Sequence, residues 1–274
     1  MSVFIGVNKP DSAPVKEGIR TIHIGVFIPT DCQLLDAAGV DIFGTMSREY
    51  LSAVGPLAPK PVVESAPSVK IHYIGSVPAG QPIPMTSNQS VVATNHYSDP
   101  EVAPGKLDIV YVPGPNPAGK FEEGALAWLR AQGNMVGKVD VLSVCTGIFL
   151  CGEAGLVKGK QICGPRALQD LIAQRGYEPK SMRGHELRWI QDGNFWSSGG
   201  VTNGNDLVAA YCRAKSEFFP RPLVEFVCEQ LDVGDRPQEY LKDMAFEKHI
   251  RDLIAASGRD GASGNTSSDA AAIA

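Results

Sequence analysis

The residue of this chain best suited to chemistry is Cys145, in Val141-Leu142-Ser143-Val144-Cys145-Thr146-Gly147. An apolar strand runs into the cysteine and then at once into a helix, with small residues at 143 and 147. That is the form of a nucleophile elbow, a sharp strand-to-helix turn that presents a reactive side chain. N–H groups at the head of the helix are expected to favour the thiolate and hold its pKa below that of a free cysteine. The competing reading is a small side chain filling space at a strand end. Two other strand ends carry polar options. Val112-Pro113-Gly114-Pro115 lets a substrate approach the backbone, and the N–H groups of Gly114 and Thr146 together could hold an oxyanion. Taken alone, that motif reads as a simple turn. Gln33-Leu34-Leu35-Asp36-Ala37-Ala38-Gly39 places an acid at a helix start in apolar surroundings. Asp36 is either an ordinary capping carboxylate or a partly buried acid with a raised pKa, suited to proton transfer.

These positions need elements to hold them. Nearly continuous apolar runs predict strands over 23–28, 69–74, 107–112 and 139–144, with a further strand at 90–94. Helical spacing covers 34–46, 121–132, 146–154, 166–174, 203–215 and 221–231, with one more helix over 241–256. Pro165 suits the first turn of the 166–174 helix, and Thr202 reads as the N-cap of the next. Residues 187–190 and 194–197 form a hairpin around Asp192-Gly193. Apolar strands without polar alternation, each followed by a helix, predict a doubly wound α/β domain over 21–254. Ligands of such sheets sit beyond the carboxyl ends of the strands, where Cys145, Gly114 and Asp36 fall. Residues 1–20 are expected to be weakly ordered. Residues 255–274, small and polar, are expected to be a flexible tail.

Composition narrows the function classes. The chain has 274 residues, 43% of them hydrophobic and 20% charged, and can bury a sizeable core without disulfides or metal. Lys plus Arg is 25 against 30 for Asp plus Glu; this mild acidity argues against a dedicated nucleic-acid binder. No run approaches a membrane span and no secretory signal is evident, so the cytosol is the expected location. Six cysteines lie without a CxxC or zinc-ligand spacing, and no phosphate loop is present. Neither a metal nor another cofactor is expected.

The motifs in this order resemble one family. Asp36 in LLDAAG, the VPGP turn at 112–115, Cys145 in SVCTG and the run Ser198-Gly199-Gly200-Val201-Thr202-Asn203-Gly204 are similar to the ThiJ/PfpI superfamily, over about residues 22–233. Within it, the isonitrile hydratase branch and the amidotransferase-like domains of some transcription regulators look most similar. The resemblance implies a flavodoxin-like three-layer α/β/α sandwich with a mostly parallel sheet, and a homodimer. It also implies a cofactor-free enzyme with Cys145 as nucleophile and Asp36 as general acid/base, hydrating an isonitrile to a formamide. The aspartate belongs to that branch; the deglycase and glyoxalase branch carries a glutamate. Two departures matter. Pro115 has no N–H where many members have glycine. Gly164, in Ile162-Cys163-Gly164-Pro165-Arg166, occupies the place of a histidine in many relatives, which argues against a Cys–His peptidase pair.

Arg166 and His185 are possible substrate contacts, each with a surface role as its competing reading. Four alternatives use the same fold: a biosynthetic enzyme for a specialised metabolite, a glyoxalase or deglycase acting on 2-oxoaldehydes, a non-catalytic cysteine redox sensor, and a regulator's ligand-binding domain. The last is disfavoured by the short chain after Leu231. Substrate size is expected to be set by walls from residues 48–106.

Overall fold

The apolar runs pair into one seven-stranded sheet in the computed structural model, which describes residues 20–242 and 244–256. In chain order its strands are β1 (Thr21–Phe27), β2 (Ser68–Gly75), β3 (Asn95–His96), β4 (Ile109–Val112), β5 (Asp140–Val144), β6 (Trp189–Asp192) and β7 (Phe195–Ser198). The spatial order is β6-β7-β5-β4-β1-β2-β3. Every pairing is parallel except the β6–β7 hairpin, which turns on Gly193 at φ 64°.

Successive residues of a strand face opposite sides, and both sides here are apolar. In β4, Ile109 and Tyr111 join one core while Val110 and Val112 join the other. The helices that cover the sheet or form the site include α1 (Leu34–Ala37), α2 (Val40–Thr45), α3 (Glu123–Gly133), α4 (Gly147–Glu153), α5 (Gln169–Gln174), α6 (Asn203–Ala214), α7 (Arg221–Leu231) and α8 (Phe246–Ala256); two further short helices, Arg48–Ala53 and Lys60–Ser65, lie in the first connection. Helices α2, α6 and α7 cover the first face through Phe43, Leu207 and Leu223; α3 and α4 cover the second through Leu129 and Phe149. The result is a flavodoxin-like three-layer sandwich with a mostly parallel sheet.

Four local expectations change. The helix over 34–46 is two pieces, because the Tyr111 hydroxyl donates to the Asp36 carbonyl at 2.6 Å. Gly39 makes room for it, since a Cβ there would lie 2.6 Å from that hydroxyl. The expected strand at 90–94 is Ser90–Val92, paired with Pro82–Pro84 in a ribbon outside the main sheet. Pro165 precedes its helical turn rather than entering it, and Arg166–Leu168 is a 3-10 turn before α5. Thr202 stands at the N-cap of α6, but its side chain makes no capping bond and instead accepts from Arg236. The N-terminal segment and nearly all of the expected tail lie outside the described residues; Ala255 and Ala256 close α8. Among the described residues, no helix is long and apolar enough to cross a membrane.

Candidate active site

The carboxyl ends of β1, β4, β5 and β7 converge on Cys145. It follows β5 directly and has φ 55°, a left-handed conformation that is costly for a residue with a Cβ. The turn is tight enough that a Cβ on Gly147 would collide with the Val112 carbonyl, with Ser143 Oγ at 3.3 Å. Gly147→Ala should therefore destabilise the protein by about 1–3 kcal/mol, read as a lower urea midpoint. An unchanged midpoint would show that the elbow has slack.

Thr146 Oγ1 donates to the Pro115 carbonyl at 2.7 Å and ties the elbow to the 112–115 turn. The Gln33 N–H donates to the Gly114 carbonyl at 2.9 Å, bringing in the loop after β1. Thr86, from the ribbon, accepts the Leu34 N–H at 3.0 Å and supports the first turn of α1, which Gln33 leaves uncapped. Asp36 on that turn is fully buried. Its Oδ2 accepts the Gly114 N–H at 3.1 Å. Oδ1 receives no N–H or O–H, and the donor beside the carboxyl is the Cys145 thiol.

Burial raises Asp36 to about 7, against weaker downward pulls from the Cys145 thiol and the Gly114 N–H. Cys145 is pushed up to about 12, first by burial and then by the Asp36 charge; the N–H groups of Val201 and Thr146 oppose this. The expectation of a depressed cysteine pKa is thus reversed, because desolvation outweighs the backbone donors. Thiol and carboxyl titrate as a pair. Above about pH 7 the pair holds one proton, on sulfur, and moving it to Asp36 creates a thiolate without changing the net charge.

Asp36 ionises near 3.8 when solvated and about 7 when folded, so between those values the folded state holds the extra proton. Its stabilising contribution is full below about pH 4 and is lost as pH rises through 7, on the order of 4 kcal/mol in all. Urea midpoints measured from pH 5 to 8 should fall in the native protein and fall much less in Asp36→Asn. Parallel slopes would contradict the shift.

Above the elbow lies a cavity of about 540 Å³ lined by Cys145, Gly114 and Thr146. Its walls are largely apolar: Met85, Pro117, Pro165, Leu168, Val201 and Phe246. Met85, with Pro84 and Thr86, comes from the 48–106 region. Asp31 is the charged side chain in the lining, and among the described residues no Lys, Arg or His lines the cavity. Cys32 is a second thiol there, itself pushed up to about 12 by burial. Among the described residues, no group of three or more His, Cys, Asp or Glu side chains is placed to hold a metal ion.

Over 152 residues, 54% of this chain, the sequence is 32% identical to the isonitrile hydratase of Pseudomonas putida. The fold matches a ThiJ/PfpI family protein from Pseudomonas syringae with a TM-score of 0.60 at 18% identity, covering 90% of this chain and 94% of that one. The chain has the fold of the ThiJ/PfpI and DJ-1 proteins and is similar in sequence to an isonitrile hydratase. The match to the hydratase spans 60% of that relative's length. Drosophila melanogaster DJ-1beta shares the fold at a TM-score of 0.54 and 13% identity, over 78% of this chain and 99% of its own. No family profile matches the chain.

Against this ThiJ/PfpI fold, the sequence-predicted residues divide. Cys145, Thr146, Gly114 and Asp36 come together. The Gly114 N–H, however, is directed to Asp36, and the pair of donors on the sulfur is Thr146 with Val201. Val201, at φ 22°, had one sequence signal, the Gly199-Gly200 pair after β7. Arg166 and His185 stand outside the cavity lining. Arg166 donates to the Lys242 carbonyl at 3.1 Å and stacks on Tyr240, while His185 is exposed. At Gly164, a Cβ would lie 2.6 Å from Ile172 Cδ1, so the space of a side chain is already filled.

Proposed function

We propose that this protein hydrates isonitriles to N-substituted formamides, with Cys145 as nucleophile and Asp36 as general acid and base. The observation that carries this reading is Cys145 at the floor of an apolar cavity with Asp36 buried behind it, and no Lys, Arg or His among the described residues of the lining. An isonitrile carries no net charge, and its terminal carbon needs both a nucleophile and a proton. The 32% identity with an isonitrile hydratase supports the same reading.

With the shared proton on Asp36, the thiolate, steadied by the Thr146 and Val201 N–H groups, attacks the terminal carbon. Asp36 delivers its proton to that carbon, giving a thioimidate on Cys145 and a carboxylate on Asp36. The carboxylate takes a proton from water as the hydroxide adds to the same carbon, and passes that proton to nitrogen. As the C–S bond breaks, the hydroxyl proton goes to Asp36 and the carbonyl forms. The formamide leaves with one new hydrogen on carbon and one on nitrogen, and the pair recovers its single proton.

The test is product analysis by proton NMR after incubation with benzyl isonitrile, methylglyoxal or benzamide. Formation of N-benzylformamide well above the buffer rate is expected. Consumption of methylglyoxal with the isonitrile untouched would replace this reading with the glyoxalase one.

A further inference from the structure

One wall of the cavity is built by chain that lies beyond the region of family resemblance. After α7, residues 234–242 run as a strap held by four arginines. Arg213 donates to the Gly234 carbonyl at 2.7 Å, Arg236 to that of Thr202 at 2.7 Å, and Arg188 to that of Pro237 at 3.0 Å. Backbone bonds join Arg188 to Gln238 at 2.7 Å and Tyr240 to Glu186 at 2.9 Å. The Tyr240 ring lies against the guanidinium groups of both Arg166 and Arg188, at 4.1 and 4.5 Å, and its hydroxyl accepts from Asn203 at 2.7 Å. Cation–π contacts between such groups fix position as well as adding energy. The strap leads to α8, whose first residue, Phe246, lines the cavity and leaves 42% of its surface exposed.

An aromatic ring left partly bare at a cavity wall gains when an apolar group covers it. Cavities of this volume accept ligands much larger than a two-atom isonitrile head. Asp31 on the wall and Asp36 below the floor repel a second negative charge. From these observations we infer that Phe246 is a specificity-determining residue: the substrate is a neutral isonitrile with a bulky apolar N-substituent, which packs against the Phe246 ring. Tyr240 is a positioning residue that acts through the strap. The substrate class rests on the function proposed above; the role of Phe246 as a wall does not.

The experiment compares the native full chain with Phe246→Ala and Phe246→Trp by two readouts. In turnover, Phe246→Ala should lower kcat/KM for benzyl isonitrile roughly tenfold, through KM, and leave methyl isonitrile within about twofold. In labelling, the preference of Cys145 for N-benzylmaleimide over N-methylmaleimide, read by peptide mass spectrometry, should drop in Phe246→Ala. Phe246→Trp should change both ratios as well, since a larger ring reshapes the same wall. Unchanged labelling ratios in both variants, with an unchanged melting temperature, would overturn the wall assignment. Changed labelling ratios without isonitrile turnover by the native protein would support the wall and overturn the isonitrile assignment. An anionic isonitrile carboxylate turned over as well as the benzyl compound would contradict the requirement for a neutral substrate.

Discussion

Asp36→Asn should keep the fold and lose on the order of 10²–10⁴-fold in isonitrile turnover, the range expected when a general acid–base is removed. The substitution preserves size and an acceptor for the Gly114 N–H, so the 112–115 turn keeps its anchor. It removes the group that carries the shared proton. The thiol of the variant has no neighbouring carboxylate to accept its proton, and the carbon of a bound isonitrile has no donor. The pH profile separates this from a structural role. In the native protein kcat/KM for the isonitrile should rise as pH passes through about 7, where the pair goes from two protons to one. The variant's residual activity should lack that inflection. A side chain that merely braced α1 would leave both rate and profile nearly unchanged, because asparagine braces as well as aspartate.

Cys145→Ser should be more damaging, with turnover down on the order of 10⁴–10⁶-fold. A serine hydroxyl fits the elbow and accepts the Thr146 and Val201 N–H groups, so the backbone at φ 55° has no new reason to move. What is lost is acidity. A thiol held at about 12 still yields its proton to Asp36 at about 7 in a small fraction of molecules, whereas an alcohol in the same place does so far more rarely. Binding of the product formamide should persist, because the apolar walls are untouched. Retention of more than a tenth of native turnover by Cys145→Ser would remove sulfur from the mechanism.

Much of this architecture was written in local pattern. The runs at 23–28, 107–112 and 139–144 lack polar alternation because helices cover both faces, and that alone indicated a parallel sheet with its site at the carboxyl ends. The elbow was legible because it needs a small residue at 147, where a Cβ meets the Val112 carbonyl. Features that depend on distant segments were not legible. The break between α1 and α2 is made by Tyr111, 75 residues away from the Asp36 carbonyl it binds. The direction of the cysteine shift depended on how deeply the site is buried, which helix-dipole reasoning omits. Arg166 looked like a substrate contact from its place near the site, but it lies outside the cavity lining, with its guanidinium against Tyr240 and the Lys242 carbonyl. Phe246 belongs to a short amphipathic helix whose sequence carries no sign of the cavity it walls.

The central claim is a bond between Cys145 sulfur and the isonitrile carbon. Its most direct test is acid quenching of the native protein during turnover of benzyl isonitrile, followed by mass spectrometry of every cysteine peptide. The Cys145 peptide should gain the mass of one isonitrile, and the Cys32 peptide, from the other thiol of the cavity, should gain nothing. A gain on Cys32 with Cys145 unmodified would contradict the account.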